Sequence, residues 1–497
     1  MTVVLVNPKS DDTRKNNLPI GLAYLASALT AANHRVVVFD LAVDAKLPEL
    51  LHYLLLNDVN LLGITCCTDA YLEVLSITQM AKEVAPLTPI ILGGPHATAN
   101  YSYILSEHKQ IDFACIGEGE TAICRLADYL ESDGHMSLNE VPNIAYRNDA
   151  GEIMHTMAYS ETSLAILPAR NLFKAEKGQY RSINTTRGCA FQCAFCALNT
   201  NIGKRWKCRH EDEIKKELLI LGSDYTDLII NDADFFTSKK HAERIVDILM
   251  TFPAIKALHI SARIDSLIRC IELMETLLSK KKVYLELGLE SYAQSQLDRF
   301  DKKISTDDIN RAVMAIKELE KSGSLFVTFD MIPFDPYVTI SELEANINFL
   351  IDNGFAHVRQ ESSLFVKLVL FHNTTMYEKV LSDRLALDNN YMKLYWDFVH
   401  PEAARIYSFI LQYSIECIPV LSRIRERVTP DLVQHIQKEK NVSNRMKNIR
   451  TIKRISVISF YYFKDLLESH TDLTQMRGVF KRYQDEITEI YERISDL

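Results

Sequence analysis

Twice along this chain, short β-branched runs alternate with stretches of helical hydrophobic spacing, and this repetition limits the fold more than any other feature. The first series runs Val3–Val6, a helix from Leu22 to Ala32, His34–Phe39, a helix near Leu47 to Leu56, Leu61–Thr65, then two rounds ending in Ile90–Leu92 and Asp112–Ile116. Such strands predict a parallel, doubly wound α/β sheet covered by helices on both faces. The second series runs Ser182–Thr185, Asp227–Ile230, Ala257–Ser261, Val283–Leu287, Phe326–Asp330 and Phe365–Val369. Six units without a final two predict a partial (β/α)6 barrel, and in both folds a ligand sits beyond the carboxyl ends of the strands.

A chain of 497 residues with 47% hydrophobic content is too long for one domain. The expected parts are a doubly wound domain over 1–140, a linker over 141–175, the barrel over 176–380 and a helical carboxy-terminal domain over 381–497. Within the linker, Asn143–Arg147, the turn Asn148–Gly151 and Glu152–Met154 read as a small hairpin, followed by Leu167–Arg170. Beyond about Tyr377 strands disappear, and Pro401, Pro419 and Pro430 punctuate helices.

The net charge of -9 argues against general nucleic-acid binding. No apolar run reaches the ~20 residues of a membrane span, and Ile455–Phe463 is the greasiest tail segment. Ten cysteines in 497 residues, with no secretory pattern at the start, point to a reducing cytoplasm. Between Arg423 and Arg454, ten Lys or Arg face three Asp or Glu. Such a run is usually a solvated helix face; the sharper reading is a dock for an acidic partner or anionic substrate.

The strand ends carry turn chemistry: Asn7-Pro8, Thr65-Cys-Cys-Thr68, Gly93-Gly-Pro-His96 and Gly117-Glu-Gly-Glu120. Glycines there let the backbone approach a ligand, and the helix starts behind them offer free amides. Each alone is an ordinary turn; four in register point to a cofactor crevice. At the first barrel strand, Cys189, Cys193 and Cys196 form a C-x3-C-x2-C spacing. Tetrahedral zinc would take a fourth ligand from Cys208 or His210. An iron-sulfur cube held by three thiolates would instead leave one iron open.

The string Thr186-Arg-Gly-Cys-Ala-Phe-Gln-Cys-Ala-Phe-Cys196 resembles the cluster loop of the radical S-adenosylmethionine (SAM) enzymes, with Phe195 ahead of the third cysteine. The resemblance implies a 4Fe-4S cluster on the three thiols, with SAM chelating the open iron. Asp232-Ala-Asp-Phe235 is similar to the family segment near the methionine amino group, its paired acids interrupted by Ala233. Ser261 and Arg263, and Glu290 within Gly288–Ser291, match positions lining the ribose and carboxylate of SAM. Trp206–Arg209 is similar to a stretch opening the first long barrel helix, which puts Cys208 and His210 in a region not used for metal.

The amino-terminal domain resembles that of the cobalamin-binding subgroup at Leu18–Leu25, Gly93–His96 and Gly117–Glu120. The implied cobalamin contacts are Asn7, Pro19, Gly21, Thr65, Cys66, Thr68, Gly93, Gly94, Pro95, His96, Gly117, Glu118, Gly119 and Glu120. Many cobalamin domains carry Asp-x-His-x-x-Gly. The nearest string, Asp133-Gly-His135, lacks the glycine and lies outside the strand-one loop, so cobalamin is expected base-off, without a histidine on cobalt and with Thr65–Thr68 beneath the corrin. His96 reads as a packed or hydrogen-bonding residue at the corrin edge. Cys66 and Cys67 read as small packing residues, and Cys115, Cys124, Cys270 and Cys417 as structural.

The implied activity is that of a cobalamin-dependent radical SAM methyltransferase. One SAM methylates cobalamin, a second yields a 5′-deoxyadenosyl radical, and the substrate radical takes the methyl group at an unactivated carbon. The implied partners are a small-molecule or carrier-bound substrate and an external electron donor such as flavodoxin or ferredoxin, with no nucleic acid and no integral membrane segment. Two alternatives stay open: a cyclase or rearrangement enzyme with the same cofactors, and a non-catalytic cobalamin or metal sensor. The tail is expected to close the substrate side. Its aromatics Tyr391, Tyr395, Trp396, Phe398, Tyr461, Tyr462 and Phe463 are mostly helix core.

Overall fold

The computed structural model describes residues 1–9, 18–43, 45–132, 134–160, 166–173, 181–198, 206–222, 226–390, 393–428, 434 and 436–495. Asp133, Tyr391 and Pro430 lie outside the described residues.

β1 (Thr2–Asn7), β2 (Arg35–Asp40), β3 (Leu61–Thr65), β4 (Ile90–Gly93) and β5 (Phe113–Cys115) pair in parallel in the order β2-β1-β3-β4-β5. Helices α1 (Ile20–Ala31) and α5 (Glu120–Glu131) cover one face through Leu22, Leu29, Ile123 and Leu126. Helices α2 (Leu47–Leu56), α3 (Tyr71–Val84) and α4 (Pro95–Glu107) cover the other through Leu50, Val74 and Ile104. With both faces buried, β1 and β3 are continuously apolar, as the runs Val3–Val6 and Leu61–Ile64 require. The strand order reverses at β1, so the crevice opens above β1 and β3. The hairpin expected in the linker forms as β6 (Ile144–Arg147) and β7 (Ile153–His155), and it adds antiparallel to β5 as the edge of this same sheet.

The second sheet is parallel, in the order β14-β13-β12-β11-β8: β8 is Arg181–Ile183, β11 Asp227–Ile230, β12 Ala257–Arg263, β13 Lys282–Glu290 and β14 Leu325–Met331. A short antiparallel pair, β9 (Thr186–Arg187) and β10 (Lys207–Cys208), lies at its start. The sixth expected strand reaches this sheet through one parallel bridge, Phe334 to Lys367. Pro333 and Pro336 flank that bridge and lack the N–H a longer ladder needs. Lys367 Nζ instead donates to the Trp396 carbonyl at 3.1 Å and stands 4.1 Å from the Trp396 ring.

Strands do not end at Tyr377. β15 (Ala386–Asn390) and β16 (Lys393–Trp396) make an antiparallel hairpin, because Leu394 and Trp396 bury against Leu368, Leu370 and Tyr377. Helices Pro401–Glu416, Ile418–Arg427, Val442–Glu468 and Leu473–Ser495 follow, and they share one hydrophobic core with the barrel. Tyr462 and Phe463 are buried in that core, whereas Tyr395 and Tyr461 are exposed. The basic stretch is partly spent inside the fold. Arg425 makes a two-pronged pair with Glu361 at 2.6 and 2.9 Å, and Arg454 pairs with Glu486 at 2.8 Å. No described helix is long and apolar enough to cross a membrane.

Candidate functional site

A cavity of about 290 Å³ opens at the crevice of the first sheet. Of the residues expected there, Gly21, Thr65, Gly93, Gly94, Gly117, Glu118, Gly119 and Glu120 line it. Asn7, Pro19, Cys66, Thr68, Pro95 and His96 do not reach its wall. Asn7 Nδ2 donates to Asp40 at 2.8 Å, Pro19 precedes α1, and Pro95 opens α4. His96 is buried, packs tilted against the Tyr71 ring at 4.3 Å, and has Nδ1 3.1 Å from the Thr68 hydroxyl. Burial, with His372 nearby, pushes its imidazole down to about 4, so it is neutral at pH 7. It stands behind the loop.

Gly94 is a true conformational requirement. Its φ is +96°, and a Cβ there would lie 2.9 Å from the Cys66 carbonyl oxygen, because the β3 and β4 loops are tied together by Cys66 N–H to Gly93 O at 2.7 Å. Gly94→Ala is expected to cost about 2–3 kcal/mol through strain and displaced backbone. Thermal melts followed by circular dichroism check this; an unchanged midpoint would show that the loops give way freely.

The cavity also has walls that strand and turn patterns did not reveal. Gly63, inside β3, leaves the sheet face thin, a signal available from a glycine within a strand. Asn184 and Arg187 come from the barrel, and no local signal marks a contact across domains. Arg187 Nη2 pairs with Glu120 at 2.6 Å, while Lys207 Nζ holds both Glu118 oxygens at 2.9 and 3.0 Å. The two glutamates of the Gly117–Glu120 loop therefore lock the crevice to the barrel, and the glycines face the space.

Arg187 lies two residues before Cys189. Gly188, at φ +81°, turns the chain from β9 into the cysteine loop. The loop is pinned by Ala194 N–H to Phe300 O at 2.8 Å, by Met376 N–H to Ala194 O at 2.9 Å, and by Phe195 edge-on to Phe300 at 5.2 Å. Its base rests on buried Asp232, which accepts from the Thr185 and Thr186 amides at 2.7 and 2.9 Å and from the Thr185 hydroxyl. Expected beside a methionine amino group, Asp232 has its carboxylate occupied in shaping the loop. Asp234 does similar work, accepting from Ser266 at 2.6 Å and the Arg263 amide at 3.2 Å.

Cys189, Cys193 and Cys196 are free thiols, each partly exposed on this one loop. Arg263 Nη1 lies 3.4 Å from Cys193 Sγ, and its guanidinium stacks 3.9 Å from the Phe191 ring. Burial pushes the Cys196 thiol up to about 11. Cys208 is exposed on β10, and His210 caps the helix Glu211–Leu221, its Nδ1 accepting from the Asp212 amide at 3.4 Å. Among the described residues, no three His, Cys, Asp or Glu side chains form a site for a single metal ion. Three soft thiolates on one open loop fit an iron-sulfur cluster with a vacant coordination position.

Inside the barrel, Ser261 donates to Glu286 at 3.0 Å, and Glu290, at φ +66°, pairs with Lys302 at 2.7 Å. His259, Tyr284 and Phe326 stack at 4.7 and 5.0 Å across β12, β13 and β14. Glu286 and Asp330 were missed, although the even positions Tyr284, Glu286, Gly288 and Glu290 all lie on one face of β13. Burial, then Glu286 and Glu290, push the Asp330 carboxyl up to about 8. The folded state thus keeps a proton that the unfolded chain releases, so stability falls as pH rises from about 4 to about 8. Asp330→Asn removes that loss. Neighbouring side chains crowd the Asp330 carboxyl, yet the residue keeps access to solvent, so the effect is discounted for screening: the variant's melting advantage is expected to grow by about 2 °C between pH 5 and 8.5. A constant difference across that range would show no elevated carboxyl.

Residues 13–127 match the B12 binding domain family, and residues 183–350 match the radical SAM superfamily. An uncharacterized methyltransferase of Pyrococcus horikoshii is 27% identical over 414 residues, covering 79% of this chain and 86% of that one. The anaerobic magnesium-protoporphyrin IX monomethyl ester cyclase of Rubrivivax gelatinosus is 27% identical over 320 residues, 60% of this chain and 56% of its own length. The solved cobalamin-dependent S-adenosylmethionine radical enzyme OxsB shares the fold: its TM-score is 0.78 at 16% identity, over 100% of this chain and 80% of that one.

Proposed function

We propose that this chain, which carries a B12-binding domain and belongs to the radical SAM superfamily, is a cobalamin-dependent methyltransferase that transfers a methyl group from SAM to an unactivated carbon. The observation that carries the reading is a shared wall. The glycine-lined crevice of the first domain is completed by Asn184 and Arg187, and Arg187 leads directly into the loop of Cys189, Cys193 and Cys196.

When bound, the 4Fe-4S cluster and SAM supply a 5′-deoxyadenosyl radical, and cobalamin supplies a methyl carrier. Cys189, Cys193 and Cys196 hold the cluster, and Arg263 sets a positive charge beside Cys193. Gly93, Gly94, Gly117 and Gly119 let the corrin side approach the backbone, and Glu118 and Glu120 keep the two domains in register. Ser261 and Glu290 stand at the carboxyl ends of the barrel strands, where SAM would lie. Fixing both groups in one frame is the protein's main contribution, because a radical reaction between misaligned partners is lost to side reactions. An external one-electron donor such as flavodoxin or ferredoxin, met in the cytoplasm, supplies the electron. The substrate is a small molecule, free or carried on an acidic protein.

The test is anaerobic reconstitution with iron, sulfide and cobalamin, then incubation with SAM and a strong reductant. Formation of both 5′-deoxyadenosine and S-adenosylhomocysteine is expected. The cyclase relative favours one other reading: 5′-deoxyadenosine without S-adenosylhomocysteine would replace methyl transfer by rearrangement or ring closure. Neither product from a protein holding its cluster would point to a sensor.

A further inference from the structure

The crevice cavity runs between the sheet and helices α1 and α5, and its walls are chiefly apolar: Leu5, Leu22, Leu25, Ile91 and Ile123. Besides Thr65, Glu118, Glu120 and Arg187, two polar atoms of that lining stand out. The Tyr24 hydroxyl, on α1, and the Asn184 side-chain carbonyl oxygen, just after β8, are buried, and neither has a hydrogen-bond partner among the described residues. Tyr24 is 5% exposed, and its ring lies 5.6 Å from the Arg187 guanidinium and 5.8 Å from that of Arg209. The Asn184 backbone is fixed in turn by its carbonyl, which accepts from Arg209 Nη1 at 2.8 Å. Native proteins rarely leave such groups unsatisfied, so an occupant that is mostly flat and apolar, yet carries its own acceptor and donor, suits this space.

We infer that Tyr24 and Asn184 read the nucleotide tail of the bound cobamide, with the Tyr24 hydroxyl donating to the base nitrogen left free when the base is off cobalt, and Asn184 accepting from the tail's sugar hydroxyl. The inference rests on the cobalamin reading above and deepens it: a residue of the barrel, not only of the cobalamin domain, selects the tail. Burial raises the Tyr24 hydroxyl to about 12, so it remains a donor throughout the working pH range. A base with a ring nitrogen acceptor satisfies it; a phenolic base, which offers no such nitrogen, does not.

The experiment titrates the cluster-loaded protein with aqua-cobalamin and, separately, with cobinamide, which has the same corrin but no nucleotide, and follows intrinsic fluorescence and the corrin absorbance. Tyr24→Phe keeps the ring and its packing, so folding is preserved, and the cobinamide titration checks this internally. Cobalamin affinity is expected to fall about fivefold, the net worth of one hydrogen bond, while cobinamide affinity stays unchanged. Asn184→Ala should likewise weaken cobalamin alone. Equal losses for both corrinoids, or no loss for either, would overturn the assignment and return the cavity's polar end to ordered water. If the unaltered protein binds cobinamide and cobalamin equally, the tail is not read at all; if it binds neither, the cobalamin reading itself fails.

Discussion

Replacing Cys193 with alanine is expected to remove the bound iron and to lower 5′-deoxyadenosine formation by at least about a thousandfold, on the order of 4 kcal/mol of barrier. The loop offers three thiols for three irons, and among the described residues no fourth ligand completes the set. The Arg263 guanidinium, at 3.4 Å, is a cation and cannot ligate iron. Cys208 lies out on β10 and is exposed, so Cys208→Ala should keep full iron content. Cys193 is only partly buried, and the truncation should move the melting temperature little. Iron and sulfide assays with the absorbance near 400 nm read the first effect, and product chromatography the second. Unchanged iron in the alanine variant would remove the loop from cluster binding altogether.

What the sequence made legible follows the range of its interactions. Period-2 and period-3.6 patterns depend on neighbours a few residues apart, so β1 to β5 and the barrel strands β8 and β11 to β14 could be read directly. The hairpin β15 and β16 could not, because it exists through burial of Leu394 and Trp396 against Leu368 and Leu370, some 25 residues earlier. The sixth barrel strand failed for the converse reason: Phe365–Val369 is locally strand-like, but Pro333 and Pro336 deny it a continuous partner. At the site, glycines and cysteines announced themselves by residue type and spacing. The work of Asp232, which reads as a ligand contact and serves as the base of the loop, could only be seen once Thr185 and Thr186 were placed against it. Tyr24 and Asn184 were ordinary residues of a helix and a strand end until two domains brought them together.

The same interdomain geometry yields the second large effect, at Arg187. Burial opposes its charge, but Glu120, which accepts from it, and Glu118 more than offset that, and its guanidinium is held above its usual affinity for protons. Arg187→Ala would leave the Glu120 carboxylate buried without its 2.6 Å partner, whereas Glu118 would keep Lys207. Removing one member of a buried pair costs about 3–5 kcal/mol, mostly the unpaired charge left behind; removing both can be almost neutral. Arg187→Ala is therefore expected to lower the melting temperature of the joined domains by about 8 °C and to loosen cobalamin retention. Adding Glu120→Gln should recover more than half of that fall, a coupling that a double-mutant cycle measures. If the two substitutions instead add, Arg187 stabilises the protein by some other contact, and the crevice and the cysteine loop are held in register by different residues.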